Sequence, residues 1–313
     1  MSLSPALLEE AEVLIRPYIY ETPLTWDEHL QAFLKWENQQ VTGSFKVRGA
    51  LNKVLHLSQA ERAAGLVAAS AGNHGQGVAL AARLCQAQAT IFVPENAVPY
   101  KVEAIRKLGA EVRNVAGGYA AAETAARRWA SEHGKTWVSP YNDPLVIAGQ
   151  GTLGLETLRQ LSQPVACWLI PVGGGGLFAG IGLALEGKAQ KSAVIGLQAA
   201  ASPFVHHLFY HGDQRGVEDR PTLADGLSGA IEEDSITIPL LRHLAREIVL
   251  VSEEEIAQAI AYAWRVHHQV IEGSAAVGLA ALLSGKVRQR PAVVIISGGN
   301  IQPQTHEHIL SSF

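Results

Sequence analysis

Cysteine and methionine are scarce in this chain of 313 residues, which has two cysteines, Cys85 and Cys167, and one methionine. Two thiols so far apart exclude a disulfide-rich scaffold and a cysteine-based zinc site, so a reducing, cytoplasmic setting is expected. Charge is also sparse, at 17% of residues with a net value of −4. Nucleic-acid binding needs a basic field, and none is present, so that class is excluded. Apolar runs such as Val293 to Ile296 are much shorter than a bilayer is thick, so no membrane partner is expected. Met1 to Pro5 contain no charged stretch followed by an apolar one, and no secretory signal is expected. There is no internal repeat and no low-complexity tract.

What is present is a large apolar fraction, 48%, and 30 glycines that fall in clusters. Strand-like runs alternate with helical patterns. Gly65 to Ser70, Ala89 to Pro94, Glu111 to Val115 and Thr136 to Val138 read as strands. Between them, Gly75 to Leu84, Pro99 to Leu108 and Tyr119 to His133 read as helices. The rhythm resumes with a helix from about Gly151 to Leu161, a strand Ala166 to Ile170, a helix to Glu186 and a strand Ala193 to Gln198. An irregular region, Ala199 to Asp234, precedes a helix at Glu253 to His267 and a last strand at Ala292 to Ile296. Strand–helix–strand alternation predicts an α/β protein with parallel sheets covered on both faces. The expected division is a small α/β domain, 65–142, inserted in a larger one made of 1–64 and 143–313.

Two segments carry chemistry. Thr42-Gly-Ser-Phe-Lys-Val-Arg-Gly-Ala50 sets Lys46 among apolar neighbours and beside Arg48. A lysine used as a nucleophile must lose its proton, and burial or adjacent positive charge promotes that. Pro171-Val-Gly-Gly-Gly-Gly-Leu177 follows a strand and opens a helix. Consecutive glycines leave backbone N–H groups free to converge, and the helix terminus adds a positive dipole end, so this is a phosphate cradle. Gly174, Gly176 and Ala179 also satisfy a loose dinucleotide fingerprint, but Gln198 stands where the ribose-binding acid is needed. Gly182 to Lys188 has Walker spacing, but Ala189 replaces the hydroxyl that would hold magnesium. A compact monophosphate fits better than either nucleotide.

The lysine segment, Ser70-Ala71-Gly72-Asn73-His74, the glycine cluster and Ser297-Gly298-Gly299-Asn300 occur in that order along nearly the whole chain. Together they resemble the pyridoxal-phosphate enzymes of the tryptophan-synthase β type, and most of all the serine/threonine dehydratase and serine racemase family. The resemblance implies the type II fold, with two open, mostly parallel twisted sheets and helices on both faces. It implies pyridoxal 5'-phosphate as cofactor, held on Lys46 as a Schiff base, with Lys46 then acting as base at the substrate Cα. Phe45 would pack beside the cofactor, Asn73 would bind its 3' oxygen, and Gly173, Gly174, Gly175, Gly176 and Leu177 its phosphate. Ser297 would meet the pyridine nitrogen. The backbone of Ser70, Ala71, Gly72, Asn73 and His74 would receive the substrate carboxylate. The expected activity is loss of a β-hydroxyl from a serine- or threonine-like amino acid, giving a 2-oxo acid and ammonia. A homodimer is also implied.

Departures from the family pattern refine that expectation. Ala71 stands where racemase members carry a second acid/base serine, so dehydration is favoured over racemisation or β-replacement. Gln198 and Phe204 stand where many members bind a divalent cation through two carboxylates, so no metal is expected there. Glu272-Gly-Ser-Ala275 replaces the usual Glu-Pro-Ser/Thr-Gly, leaving Glu272 near the cofactor. Together with Ala224-Asp225-Gly226, it also resembles the ectoine-utilisation branch of the family. Tyr141 lies in a loop that either reads a polar substrate side chain or simply packs. No regulatory domain is expected after residue 313. Trp129, Trp168 and Trp264 read as core, while Lys101, Arg106, Lys107, Arg127 and Arg128 read as solvated surface. His267 reads as a favourable charge at a helix end.

Overall fold

The computed structural model describes residues 3–313. Among the described residues, ten strands form two sheets. The first five are β1 (Leu24–Asp27), β2 (Ala32–Trp36), β3 (Leu66–Ala69), β4 (Ala89–Pro94) and β5 (Glu111–Val115). The others are β6 (Thr136–Trp137), β7 (Cys167–Pro171), β8 (Ala193–Ala199), β9 (Glu247–Val251) and β10 (Ala292–Ile296). The larger sheet has the order β1-β2-β10-β7-β8-β9, and the smaller one β5-β4-β3-β6. Every pairing is parallel except the antiparallel β1–β2 hairpin at the edge of the large sheet. The expected α/β architecture of two mostly parallel sheets is therefore present.

Alternating side chains bury both faces of each sheet, as parallel sheets require. In the large sheet, Leu34, Leu169, Leu197, Val294 and Ile296 join one core. Their neighbours Phe33, Trp168, Ile170, Val293 and Ile295 join another on the opposite face. The small sheet repeats the pattern, with Leu66, Ala68, Ile91 and Val93 on one side and Val67, Ala69 and Phe92 on the other.

Several elements escaped the sequence pattern for identifiable reasons. Strand β2 contains Lys35, which is fully buried and so breaks the apolar signature. Its ammonium is neutralised by Glu156 at 2.5 Å. Glu156 also meets Arg48 at 2.9 Å, and Arg48 grips both oxygens of Glu37 at 2.8 Å. These two bases and two acids form an internal quartet that ties β2 to the helices Lys46–His56 and Pro144–Gln160. The helix Gly273–Leu283 (GSAAVGLAALL) has no charged residue and is buried on nearly all sides, so it shows no amphipathic period. The helix expected from Gly151 begins earlier, at Pro144, because Asp143 caps it by accepting from the Leu145 and Val146 N–H groups.

Other surface and core assignments need correction. Trp264 is 40% exposed rather than core, although Trp168 is fully buried. Arg127 is not a free surface charge: it pairs with Glu123 and Glu232 and lies 4.9 Å from the Trp137 ring. His267 ends its helix as expected, but it also bonds the buried Asp27 carboxylate at 2.7 Å.

Candidate active site

The loops that follow β3, β7 and β10 converge at the C-terminal ends of their parallel strands, the usual place for ligands in open α/β sheets. Lys46 reaches this place from the first turn of the helix Lys46–His56. The loop before it is stitched to the loop after β10. Phe45 N–H donates to the Ser297 carbonyl at 3.0 Å, Gly299 N–H donates to the Gly43 carbonyl at 2.9 Å, and Ser44 bridges Gly298. On the other side, the helix Asn73–Leu84 approaches so closely that a β-carbon at Gly77 would lie 3.2 Å from the Lys46 backbone.

The Lys46 side chain is partly exposed as a whole, but its amine is well desolvated. It donates to the Pro140 carbonyl at 3.0 Å and lies 5.2 Å from the Phe45 ring. Burial lowers the amine to about 8, against the opposing negative charge of Glu272. A lysine in that range is partly neutral near physiological pH, as a nucleophile and base needs to be.

Ser70 accepts from the Gly72 N–H at 3.1 Å, which shapes the turn into the helix Asn73–Leu84. The first-turn N–H groups of that 12-residue helix have no partner within it, and a β-carbon at Gly72 would meet nothing within 4 Å. Ala71 packs against the core of the small sheet and brings no acid or base. His74 is buried, and its Nε2 bonds the Val138 carbonyl at 2.8 Å. Burial, with Lys46 adding to it, pushes this imidazole down to about 3, so its side chain is neutral scaffolding.

Gly173 to Gly176 form the turn from β7 into the helix Gly176–Gly187, and Gly175 takes a φ of 88° that disfavours any other residue. Leu177 is buried behind the turn. Two braces hold the loop: Thr237, which sequence reasoning missed because it is remote in the chain, and Tyr141, whose contact with the glycines the sequence does not show. Thr237 Oγ1 donates to the Gly174 carbonyl at 2.7 Å. The Tyr141 ring covers the loop, so that a β-carbon at Gly174 would sit 2.2 Å from a ring carbon. The Tyr141 hydroxyl accepts from the Glu232 N–H at 3.2 Å.

Asn73 links both sides of the site. Its Nδ2 donates to Glu272 Oε1 at 2.7 Å, and its Oδ1 accepts from Asn300 Nδ2 at 2.6 Å. Ser297 is buried at the end of β10. Lys101, expected at the surface, instead reaches Asp225 at 2.7 Å in the mouth of the site. Gln198 is fully buried, and its Oε1 accepts from the His206 N–H at 3.0 Å, capping the helix Phe204–His211. Among the described residues there is no cluster of three or more His, Cys, Asp or Glu placed to hold a metal ion.

This combination of a desolvated amine, a braced glycine turn at a helix N-terminus and an amide with a spare donor fits a phosphorylated aldehyde. Comparison with known proteins agrees. Residues 15–298 match the family described as "Pyridoxal-phosphate dependent enzyme".

The chain belongs to the pyridoxal-phosphate dependent enzymes. It is 41% identical over 311 residues to an L-threonine ammonia-lyase of Thermotoga maritima, covering 97% of this chain and 77% of that protein. It is 42% identical over 312 residues to an L-threonine ammonia-lyase of Geobacter sulfurreducens, covering 96% and 76%. Among solved structures, maize serine racemase superposes with a TM-score of 0.92 at 28% identity, covering 100% of this chain and 98% of that one. The processed form of threonine deaminase isoform 2 from Solanum lycopersicum gives 0.88 at 31% identity, covering 97% and 92%. The fold is thus type II of this family.

Proposed function

We propose that this pyridoxal-phosphate enzyme is an ammonia-lyase that removes the β-hydroxyl of a threonine- or serine-like amino acid, yielding a 2-oxo acid and ammonia. The similarity to L-threonine ammonia-lyases at about 40% identity over most of the chain supports the reaction class. The observation that carries the reading is the pairing of Lys46 with Ala71. The site holds a desolvated amine able to move a proton, and Ala71, at the position where the family resemblance places the racemases' second acid/base, carries no group that could act as one. Racemisation needs proton transfer on both faces of Cα, whereas elimination needs one base.

In this reading Lys46 holds the cofactor and Gly173 to Leu177 hold its phosphate through backbone N–H groups. Phe45 packs beside it, Asn73 donates to its ring oxygen and Ser297 meets its ring nitrogen. When bound, the cofactor acts as the electron sink for the bond that breaks. The N-terminus of the helix Asn73–Leu84, with Ser70 to His74, receives the substrate carboxylate. The Lys46 amine, displaced from the cofactor by the substrate amine, would take the Cα proton, and the β-hydroxyl would leave as water, the proton it gains matching the one taken from Cα. The released enamine hydrolyses to the 2-oxo acid and ammonia. We further propose that residues 65–142 form a unit within 1–64 and 143–313, a division supported by the small sheet lying wholly between residues 66 and 137. A symmetric homodimer and a cytoplasmic location complete the proposal. The commonness of twofold assemblies and two unpaired cysteines support them. No helix among the described residues is long and apolar enough to cross a membrane.

The test is to supply the loaded enzyme with L-threonine and L-serine and follow 2-oxo acid, ammonia and D-amino acid together. Oxo acid and ammonia in equal amounts, lost in Lys46→Ala, are expected. Formation of D-amino acid without oxo acid would reverse the assignment.

A further inference from the structure

The hydrogen bonds around Asn73 run in one direction only. A carbonyl can only accept, so Asn300 must turn its Nδ2 to the Thr42 oxygen, at 2.9 Å. The same Nδ2 supplies a hydrogen to Asn73 Oδ1 at 2.6 Å. Asn73 must then direct its own Nδ2 to Glu272 Oε1 at 2.7 Å. An amide nitrogen carries two hydrogens, so one goes to Glu272 and the second is available to a bound group.

Glu272 is 7% exposed at the start of the helix Gly273–Leu283. Its Oε1 is wedged at the loop after β10, where a β-carbon at Gly298 would come within 2.7 Å of it. The charged groups that face it are Asp225, Lys101 and the Lys46 amine. We propose that Glu272 is a positioning residue that acts on the cofactor through Asn73. Asn300 sets the direction of the Asn73 amide; the ionised Glu272 carboxylate grips its Nδ2 through a charge-assisted hydrogen bond, and protonation weakens that grip and loosens the amide against the cofactor. The proposal rests on the reading above of Asn73 as donor to the cofactor's ring oxygen.

The surroundings put this change in the neutral range. Burial pushes Glu272 up to about 7, and the negative charge of Asp225 adds to the effect. Lys101 and hydrogen bonds from Asn73 and the Asn300 backbone act in the opposite direction. The hydrogen bond to the ring oxygen governs how charge is distributed over the cofactor, so its visible absorption reports on Asn73 without turnover.

The experiment records the visible absorption of the pyridoxal-phosphate-loaded enzyme from about pH 5.5 to about pH 8.5. In the unaltered enzyme the band is expected to move reversibly with a one-proton midpoint near 7. Glu272→Gln, which keeps the acceptor but cannot ionise, should hold the band constant. Asn73→Ala, which keeps Glu272 but breaks the link, should also remove the pH dependence. Glu255→Gln, in the first turn of the helix Glu253–His267, should retain it. A pH-independent band in the unaltered enzyme overturns the proposal, and so does a midpoint that survives in either Glu272→Gln or Asn73→Ala. Should Glu272→Gln fail to fold by circular dichroism, Asn73→Ala decides. Absence of any band would instead overturn the reading of the site as a cofactor site, and the proposal with it.

Discussion

Tyr141 and Gly174 are in van der Waals contact across the site, with the tyrosine ring occupying the space that any side chain at Gly174 would need. The absence of a β-carbon is what lets the ring brace the glycine turn. Gly174→Ala therefore overpacks the loop, at a cost of about 1–3 kcal/mol. If that cost falls on the bound state, pyridoxal-phosphate affinity drops about 5- to 150-fold. Adding Tyr141→Ala should recover part of the loss, because the clash has gone. Dissociation constants for the four proteins of this double-mutant cycle measure the coupling, expected to exceed about 0.5 kcal/mol. Additive effects would show that the ring and the loop are independent.

Lys46 gives the apoprotein a distinct pH signature. Its amine is lowered to about 8, so the neutral, reactive fraction grows as pH rises through that value and then levels off. The rate of pyridoxal-phosphate capture, followed by stopped-flow absorbance, should trace this curve. Because the Glu272 charge holds the amine up, Glu272→Gln should move the midpoint down. Lys46→Ala should lose about 10³-fold or more in turnover while keeping its circular dichroism spectrum.

His74 predicts acid sensitivity. Its folded pKa, about 3, is depressed from 6.5, so the native state favours the neutral ring. The stability this contributes is fully present above 6.5 and is lost as pH falls from 6.5 towards 3. Urea denaturation midpoints of the apoprotein should drop over that window. His74→Gln keeps a donor for the Val138 carbonyl but cannot titrate, and should show a shallower pH slope. Equal slopes would place the acid sensitivity elsewhere.

Arg48 concerns stability. It holds Glu37 through two nitrogens and Glu156 through one, with Lys35 as the only other base of the quartet. Arg48→Met leaves a buried carboxylate without its partner, at a cost of about 3–5 kcal/mol. Thermal unfolding should register a large fall in Tm. Arg48→Lys should rescue little of it, because a single ammonium cannot span two carboxylates as the planar guanidinium does.

The strand rhythm from Gly65 to Ile296 was legible because buried parallel strands are continuous apolar runs punctuated by glycine and proline. Lys46 and the glycine turn stood out because each combines an unusual composition with an abrupt strand or loop boundary. The hidden elements share the opposite character. Strand β2 conceals a buried lysine whose charge is neutralised 121 residues away, and the helix Gly273–Leu283 has no polar face to give it a period. Lys101 and Arg127 looked like surface charges because their partners, Asp225 and Glu232, are more than 100 residues distant.

By itself, the sequence determined the α/β class and the family, and it singled out Lys46 and the glycine turn as the candidate site, because these depend on local residue type and order. Only the tertiary structure decided that Tyr141 braces Gly174, that Thr237 supports the same loop and that Asn73 is held between Glu272 and Asn300. Directional hydrogen bonds and steric exclusion act over a few ångströms, and the fold alone sets which distant residues come that close.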